Sequence, residues 1–154
     1  MKYKAGLIIG RFQPFHRGHL YLVKQALKHA NLLIIAVGSA NASDEKNPFG
    51  FDERKKFIET SLIKHNLLNK IQKIVSVDDY PEDDDFWLEQ LKKKTGAFDI
   101  SFGNNEWVNG ILENRGVKVM RFPLHMRDKY EGVKIREEIK KSKNPQLVLK
   151  KYLP

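Results

Sequence analysis

The chain contains no cysteine, which excludes a disulfide framework, a thiolate zinc site and a cysteine nucleophile. Long hydrophobic runs are missing as well. The longest is residues 32–37, six positions, against the ~20 that a membrane-crossing helix needs, so no membrane partner is expected. The apolar stretch behind Met1-Lys2-Tyr3-Lys4 is too short for a secretion signal and runs into Gly10-Arg11-Phe12-Gln13; the expected location is cytoplasmic. There is no internal repeat, linker or low-complexity tract. Acidic residues are the scarcer charge, 19 Asp+Glu against 28 Lys+Arg, which leaves a formal +9 over 154 residues. Such a field suits nucleic acid, an anionic membrane face or phosphate-rich small substrates, and charge alone does not choose among them.

What is present is an alternation of two hydrophobic periods. Residues 5–9, 32–37, 71–77, 98–102 and 117–122 read as five short buried strands. Between and after them, apolar residues recur at helical spacing: Leu20, Val23, Ala26, Leu27 and Ala30; Phe57, Ile58 and Leu62; Trp87, Leu88 and Leu91; Trp107, Val108, Ile111 and Leu112. Trp107 is read as a core residue packed with Ile111. A helical C-terminal segment of about 131–154 opens with Ile135 and Ile139 and breaks at Asn144-Pro145. The pattern predicts an α/β fold, a single Rossmann-like doubly wound domain over 1–154 with a five-stranded parallel sheet. Ligands then bind outside the carboxyl ends of the strands, where strand order reverses.

The segment that follows the first strand, Gly10-Arg11-Phe12-Gln13-Pro14-Phe15-His16-Arg17-Gly18-His19, falls at that place. Pro14 and the two glycines allow a tight turn with backbone N–H groups facing an anion. With a helix starting near Arg17, His16 and His19 lie on one side of its first turn, where an N-terminus already favours phosphate. Arg11 adds a permanent charge. Two capping or core histidines beside a turn proline are the alternative. The string is neither Gly-x-Gly-x-x-Gly nor a Walker loop.

His16-x-Gly18-His19 after a buried strand resembles the signature of the nucleotidyltransferase superfamily that includes class I aminoacyl-tRNA synthetases. The longer string is similar to the archaeal-type nicotinamide mononucleotide (NMN) adenylyltransferases. Gly38-Ser39-Ala40-Asn41, Asn47-Pro48-Phe49 with Glu53-Arg54, Trp87, Gly103-Asn104, and Arg127-Asp128-Lys129-Tyr130 through Arg136 follow in matching order. The resemblance implies a nucleotidyltransferase fold and adenylyl transfer from ATP to NMN, giving NAD and pyrophosphate. The NMN phosphate attacks the ATP α-phosphate in line, so the site needs cationic and neutral donors rather than a nucleophile.

By the same resemblance, His16, His19, Arg11 and Arg136 are the catalytic set. Gly10, Phe12, Gly18, Gly103, Asn104, Arg127 and Lys134 complete the ATP side. Ser39, Lys46, Asn47, Asp79 and Trp87 form the NMN side, with Lys46 toward its phosphate and Trp87 stacked on the nicotinamide. A solvated loop lysine and an apolar helix face are the plainer readings of Lys46 and Trp87. Mg²⁺ is expected as a substrate-bridged cofactor without a dedicated protein ligand set. The acidic run between Asp78 and Asp85 is read as complementing the N-terminus of the Trp87 helix rather than as a metal site. A homo-oligomer, such as a hexamer, is also implied.

The sequence departs from the superfamily at Tyr130-Glu131-Gly132-Val133, where Glu131 and Val133 replace two hydroxyl-bearing residues. Two other functions therefore stay open: an adenylyltransferase for a different phosphorylated acceptor (phosphopantetheine or FMN), and a non-catalytic nucleotide-binding sensor. The basic face of Lys134, Arg136, Lys140, Lys141, Lys143, Lys150 and Lys151 is read as a solvated helix surface, with no nucleic-acid partner expected.

Overall fold

The structure, a computed structural model, describes residues 1–122 and 132–154. Its sheet has five parallel strands: β1 (Tyr3–Gly10), β2 (Ala30–Val37), β3 (Ile71–Ser76), β4 (Ile100–Gly103) and β5 (Val119–Arg121). They run in the order β3-β2-β1-β4-β5. Strand order reverses between β1 and β4, as the sequence pattern predicts. The helices among the described residues are α1 (Arg17–Ala26), α2 (Phe51–Lys64), α3 (Asp84–Thr95), α4 (Glu106–Glu113), α5 (Gly132–Lys141) and α6 (Pro145–Tyr152). None of them is long and apolar enough to cross a membrane.

Past their first residues, from Ala5 in β1 and Leu32 in β2, the central strands are apolar without alternation because both faces are covered. Ile8 and Ile35 point into a cluster with Leu20 and Val23 of α1 and Ile58 and Leu62 of α2. Their neighbours Leu7 and Ile34 enter the opposite cluster, with Leu88 and Leu91 of α3 and Leu112 of α4. Right-handed crossovers produce this division, since the chain winds outward from β1 to β3 and then returns to extend the sheet from β1's other edge. α5 and α6 form a separate small cluster through Ile135, Val148 and Tyr152.

Each strand end was predicted within a few residues. β1 and β2 start earlier than their apolar runs, at Tyr3 and Ala30, which pair with each other. Edge positions at a strand's start need no apolar side chain to keep the ladder, so hydropathy misses them. At the other end, Gly10 pairs with Val37 and Gly38 N–H donates to Gly10 O at 2.8 Å. The loops after β1 and β2 thus leave the sheet side by side.

Candidate active site

Gly10 closes β1, and a Cβ there would sit 2.8 Å from the Phe12 ring. With that space open, Phe12 turns back at φ 51° and buries itself. Ser39, two residues beyond β2, has a matching φ of 52°. Left-handed backbone at two non-glycine residues costs about 1–2 kcal/mol each, and both fall at the strand ends that face the ligand side. Phe12 and Phe15 pack around the His19 ring, edge-on at 4.8 Å and stacked at 5.6 Å.

The chain enters α1 through His16, whose Nδ1 accepts the Gly18 N–H at 3.1 Å. In return, His19 Nδ1 accepts the His16 N–H at 3.1 Å. This is a reciprocal capping box built from two imidazoles. Burial, and after it the charge of Arg136, pushes His16 down to about 4. Burial and the neighbouring His16 hold His19 well below the ordinary histidine value. Both rings are neutral at pH 7. A neutral ring whose Nδ1 accepts carries its proton on Nε2, so capping leaves one oriented N–H donor on each histidine. The capping and ligand-binding readings of these histidines are one arrangement.

His16 and His19 line a cavity of about 310 Å³ with Arg11, Gln13, Asn104 and Arg136. Arg136 reaches it from α5, where its Nη1 donates to Gln13 O at 2.9 Å. Burial and then the like charge of Arg11 lower the Arg136 pKa. Among the described residues, no carboxylate pairs with Arg11 or Arg136. Two uncompensated guanidiniums and two neutral imidazole donors around one space make an anion site. Asn104 adds a buried Oδ1 that has no partner among the described residues.

A second cavity of about 470 Å³ is lined by Ser39, Asp79, Tyr80, Trp87 and Trp107. Ile9, Gly10, Arg11 and Asn105 line both spaces. A group held in one therefore meets a group held in the other across Gly10-Arg11, at the end of β1. Ser39 Oγ donates to Asp79 Oδ1 at 2.9 Å. Asn41 clamps the Asp79 backbone by accepting its N–H at 2.8 Å and donating to its carbonyl at 3.2 Å.

The expected site residues thus separate into those brought together and those left outside. Arg11, Gly10, Phe12, His16, His19, Asn104 and Arg136 share the first cavity; Ser39, Asp79 and Trp87 share the second. Gly18 stands behind the first as the donor to the His16 cap. Gly103 ends β4, its carbonyl accepting from Asn109 Nδ2 at 3.2 Å. Lys46 and Asn47 lie off both linings: Asn47 is tied to Asp44 through its backbone and side-chain nitrogens, and Lys46 is exposed. Lys134 is exposed on α5, also off the lining. Arg127, and with it Asp128, Lys129, Tyr130 and Glu131, falls outside the described residues. Val133 is exposed and lines the first cavity.

Trp107 corrects the sequence reading. It is 73% exposed and lines the second cavity. α4 buries Asn109 and Leu112 instead. Residues two apart on a helix point to opposite sides, so the Asn109 bond to Gly103 O turns Trp107 outward.

Arg54 was quoted only for its place in the family order. It is 0% exposed. Its Nη1 donates to Arg11 O at 2.8 Å and Gly38 O at 2.7 Å, and its Nε to Gly50 O at 3.3 Å, while Nη2 is buried without a partner among the described residues. One guanidinium therefore ties together the loops of both cavities. Burial, then Arg11, lower its pKa, with Asp79 opposing. The signal was available, because Arg54 stands four residues before Ile58 and eight before Leu62, a cation on α2's buried face. Asn105 was missed too. It caps α4 by accepting from Trp107 and Val108 N–H at 3.0 and 3.2 Å.

The acidic run behaves as expected of a helix start: Asp83 caps α3 by accepting the Phe86 N–H, with Asp84 and Asp85 in the first turn. Among the described residues, no group of three or more His, Asp or Glu side chains converges to hold a metal ion. The two guanidiniums of the first cavity repel a cation, and its imidazoles, with Nδ1 occupied in the cap, present N–H groups that suit the phosphates that would carry one.

The profile of the Cytidylyltransferase-like family matches residues 7–143. The nicotinamide-nucleotide adenylyltransferase of Thermoplasma acidophilum is 36% identical over 139 residues, covering 90% of this chain and 76% of that protein. The protein of the same name from Archaeoglobus fulgidus is 32% identical over 150 residues, covering 95% and 83%. Among solved structures, a bifunctional NMN adenylyltransferase/ADP ribose pyrophosphatase from Francisella tularensis superposes with a TM-score of 0.77 at 25% identity. It is matched over 89% of this chain and 42% of that one. The same bifunctional protein complexed with AMP and a Mn ion gives 0.80 at 23% identity, over 96% and 48%. This chain spans less than half of each of those longer proteins. With the end of its first strand, the histidine-capped helix and the other four strands all in the matched region, the chain belongs to the Cytidylyltransferase-like family, among its nicotinamide-nucleotide adenylyltransferases.

Proposed function

We propose that this chain transfers the adenylyl group of ATP to NMN, releasing NAD and pyrophosphate. The observation that carries the reading is the pair of cavities joined at Gly10-Arg11, one cationic and one aromatic. We assign the triphosphate to the first and NMN to the second. An NMN phosphate oxygen forms the new bond to the ATP α-phosphorus as the bond from that phosphorus to the bridging β-phosphate oxygen breaks. The attacking phosphate is already anionic, so no general base is required. His16 and His19 donate from Nε2 to phosphate oxygens, and Arg11 and Arg136 offset the charge of the two anions. Such preorganised donors act most on the leaving pyrophosphate, where charge grows. NMN is held by Ser39, Asp79 and Trp87.

Relatives named for this activity support the acceptor assignment. Phosphopantetheine has no aromatic ring to stack on Trp87 or Trp107 and is the less suited acceptor on that ground. Mg²⁺ is assigned to the nucleotide phosphates and supplies charge neutralisation there. Lys46, Asn47 and Lys134 lie off both linings and Arg127 outside the described residues, so the proposal gives them no direct contact with the bound nucleotides. The chain is read as one domain that assembles as a homo-oligomer and works in the cytoplasm.

Pyrophosphate release measured with ATP, Mg²⁺ and a panel of NMN, phosphopantetheine and FMN tests the reading. Turnover with NMN is expected. Turnover confined to another acceptor would overturn the choice of NMN, and ATP binding without turnover on any acceptor would favour the sensor.

A further inference from the structure

The second cavity holds more than the tryptophan that the family resemblance singles out. Trp107 of α4 and Trp87 of α3 converge on the same space from different helices. Asp84, the first residue of α3, lines it too. Among the described residues, no cation pairs with Asp84. The cavity is thus polarised. Arg11 stands where it joins the phosphate site, while two indoles and two carboxylates make up other parts of its wall: Asp79, which accepts the Ser39 hydroxyl, and Asp84, unpaired among the described residues. Indole faces attract cations, and a nearby carboxylate strengthens that preference.

We propose that Trp87, Trp107 and Asp84 form a cage for a cationic aromatic ring, and that Asp84 makes the site select a pyridinium carboxamide over the same ring bearing a carboxylate. This rests on the acceptor being a pyridine mononucleotide. The carboxamide ring presents a net positive charge, whereas the acid analogue adds a negative group on the same ring. Asp84 attracts the first and repels the carboxylate of the second, a selection made by an unfavourable contact. Trp107 supplies the second ring face and leaves the phosphate end untouched.

The test compares kcat/KM for NMN and nicotinic acid mononucleotide. The unaltered protein should prefer NMN by about tenfold or more, and Asp84→Asn should remove most of that preference, chiefly by improving the acid substrate. Asp85→Asn is the control: that carboxylate bonds Arg115 at 2.7 Å and is not part of the cavity lining, so the ratio should hold. Trp107→Ala should raise KM for NMN about fivefold or more without changing KM for ATP. Because Trp107 is largely exposed, its removal does not threaten folding. The chain has two tryptophans, so in Trp87→Phe the quenching of fluorescence by NMN reports Trp107 directly. An unchanged substrate ratio in Asp84→Asn, or an unchanged KM for NMN in Trp107→Ala, would overturn the cage while NAD synthesis stands. Adenylation of neither pyridine nucleotide by the unaltered protein would overturn the functional reading itself.

Discussion

The two cavities are built in opposite ways. The cationic cavity draws about half of its lining from one stretch, Ile9 to His19, and the rest from Leu22, Asn104-Asn105 and the start of α5 at Gly132, Val133 and Arg136. The aromatic cavity is assembled from five segments, a few residues from each: Arg11 after β1, Ser39 after β2, Asp79 to Pro81 after β3, Asp84 and Trp87 on α3, and Trp107 on α4. A contiguous turn can be organised by its own backbone, here by a histidine pair that caps the helix it belongs to. A dispersed cavity depends on how helices are seated on the sheet. Damage to the first should therefore appear in catalysis, and damage to the second in acceptor affinity.

The largest expected effect comes from the turn. His16→Ala or His19→Ala should lower turnover by about 10²–10³, the loss typical of one transition-state donor, measured as steady-state pyrophosphate release. His16→Asn sharpens this, because asparagine is a good N-cap. It should keep stability within about 0.5 kcal/mol of the parent and still lose the activity, which separates the cap from the phosphate donor.

Acid should weaken the same turn. His16 titrates at about 4 in the fold against 6.5 as its ordinary value. Between these pH values the unfolded chain binds more protons than the folded one. Stability is then fully present above pH 6.5 and declines as pH falls toward 4, by about 3 kcal/mol for this group. His19 adds in the same direction. Denaturant titrations at pH 7 and pH 5 read the slope, and His16→Asn should flatten it.

Arg54 joins the two regions and should affect both. Arg54→Met strands the carbonyls of Arg11 and Gly38, with an expected loss of about 2–3 kcal/mol. KM should rise for ATP and for NMN together, and Arg54→Lys should recover part of both. The smallest effect belongs to α3. Asp83→Ala removes its cap at about 1 kcal/mol and, by loosening the turn that carries Asp84 and Trp87, should raise KM for NMN alone. A matching rise for ATP would show that the two cavities are not independent.

Local patterns in the chain revealed the turning point of the strand order only through the fold class, yet they singled out most of the polar residues that share the cationic cavity. Gly10, Arg11, His16 and His19 are close in sequence and their spacing is converted to geometry by one helix start. The acceptor side was legible at Ser39, Asp79 and Trp87 through family order. It was misread at Trp107, where an apolar period did not reveal that Asn109 would claim the buried face of α4. Lys46 looked suited to a phosphate by charge and loop position, but the Asp44–Asn47 bonds close that loop on itself, away from the cavity lining.

By itself the sequence determined the alternation of strands and helices, the helix start after β1 and the cationic character of that turn. These depend on nearest neighbours: hydrophobic period, capping and charge. Tertiary structure decided which faces α3 and α4 turn to the sheet, that a buried Arg54 would bind two loops at once, and that Arg136 would return to Gln13 from far along the chain. Those outcomes depend on which groups must share one buried space, and packing settles that between residues that are distant in sequence.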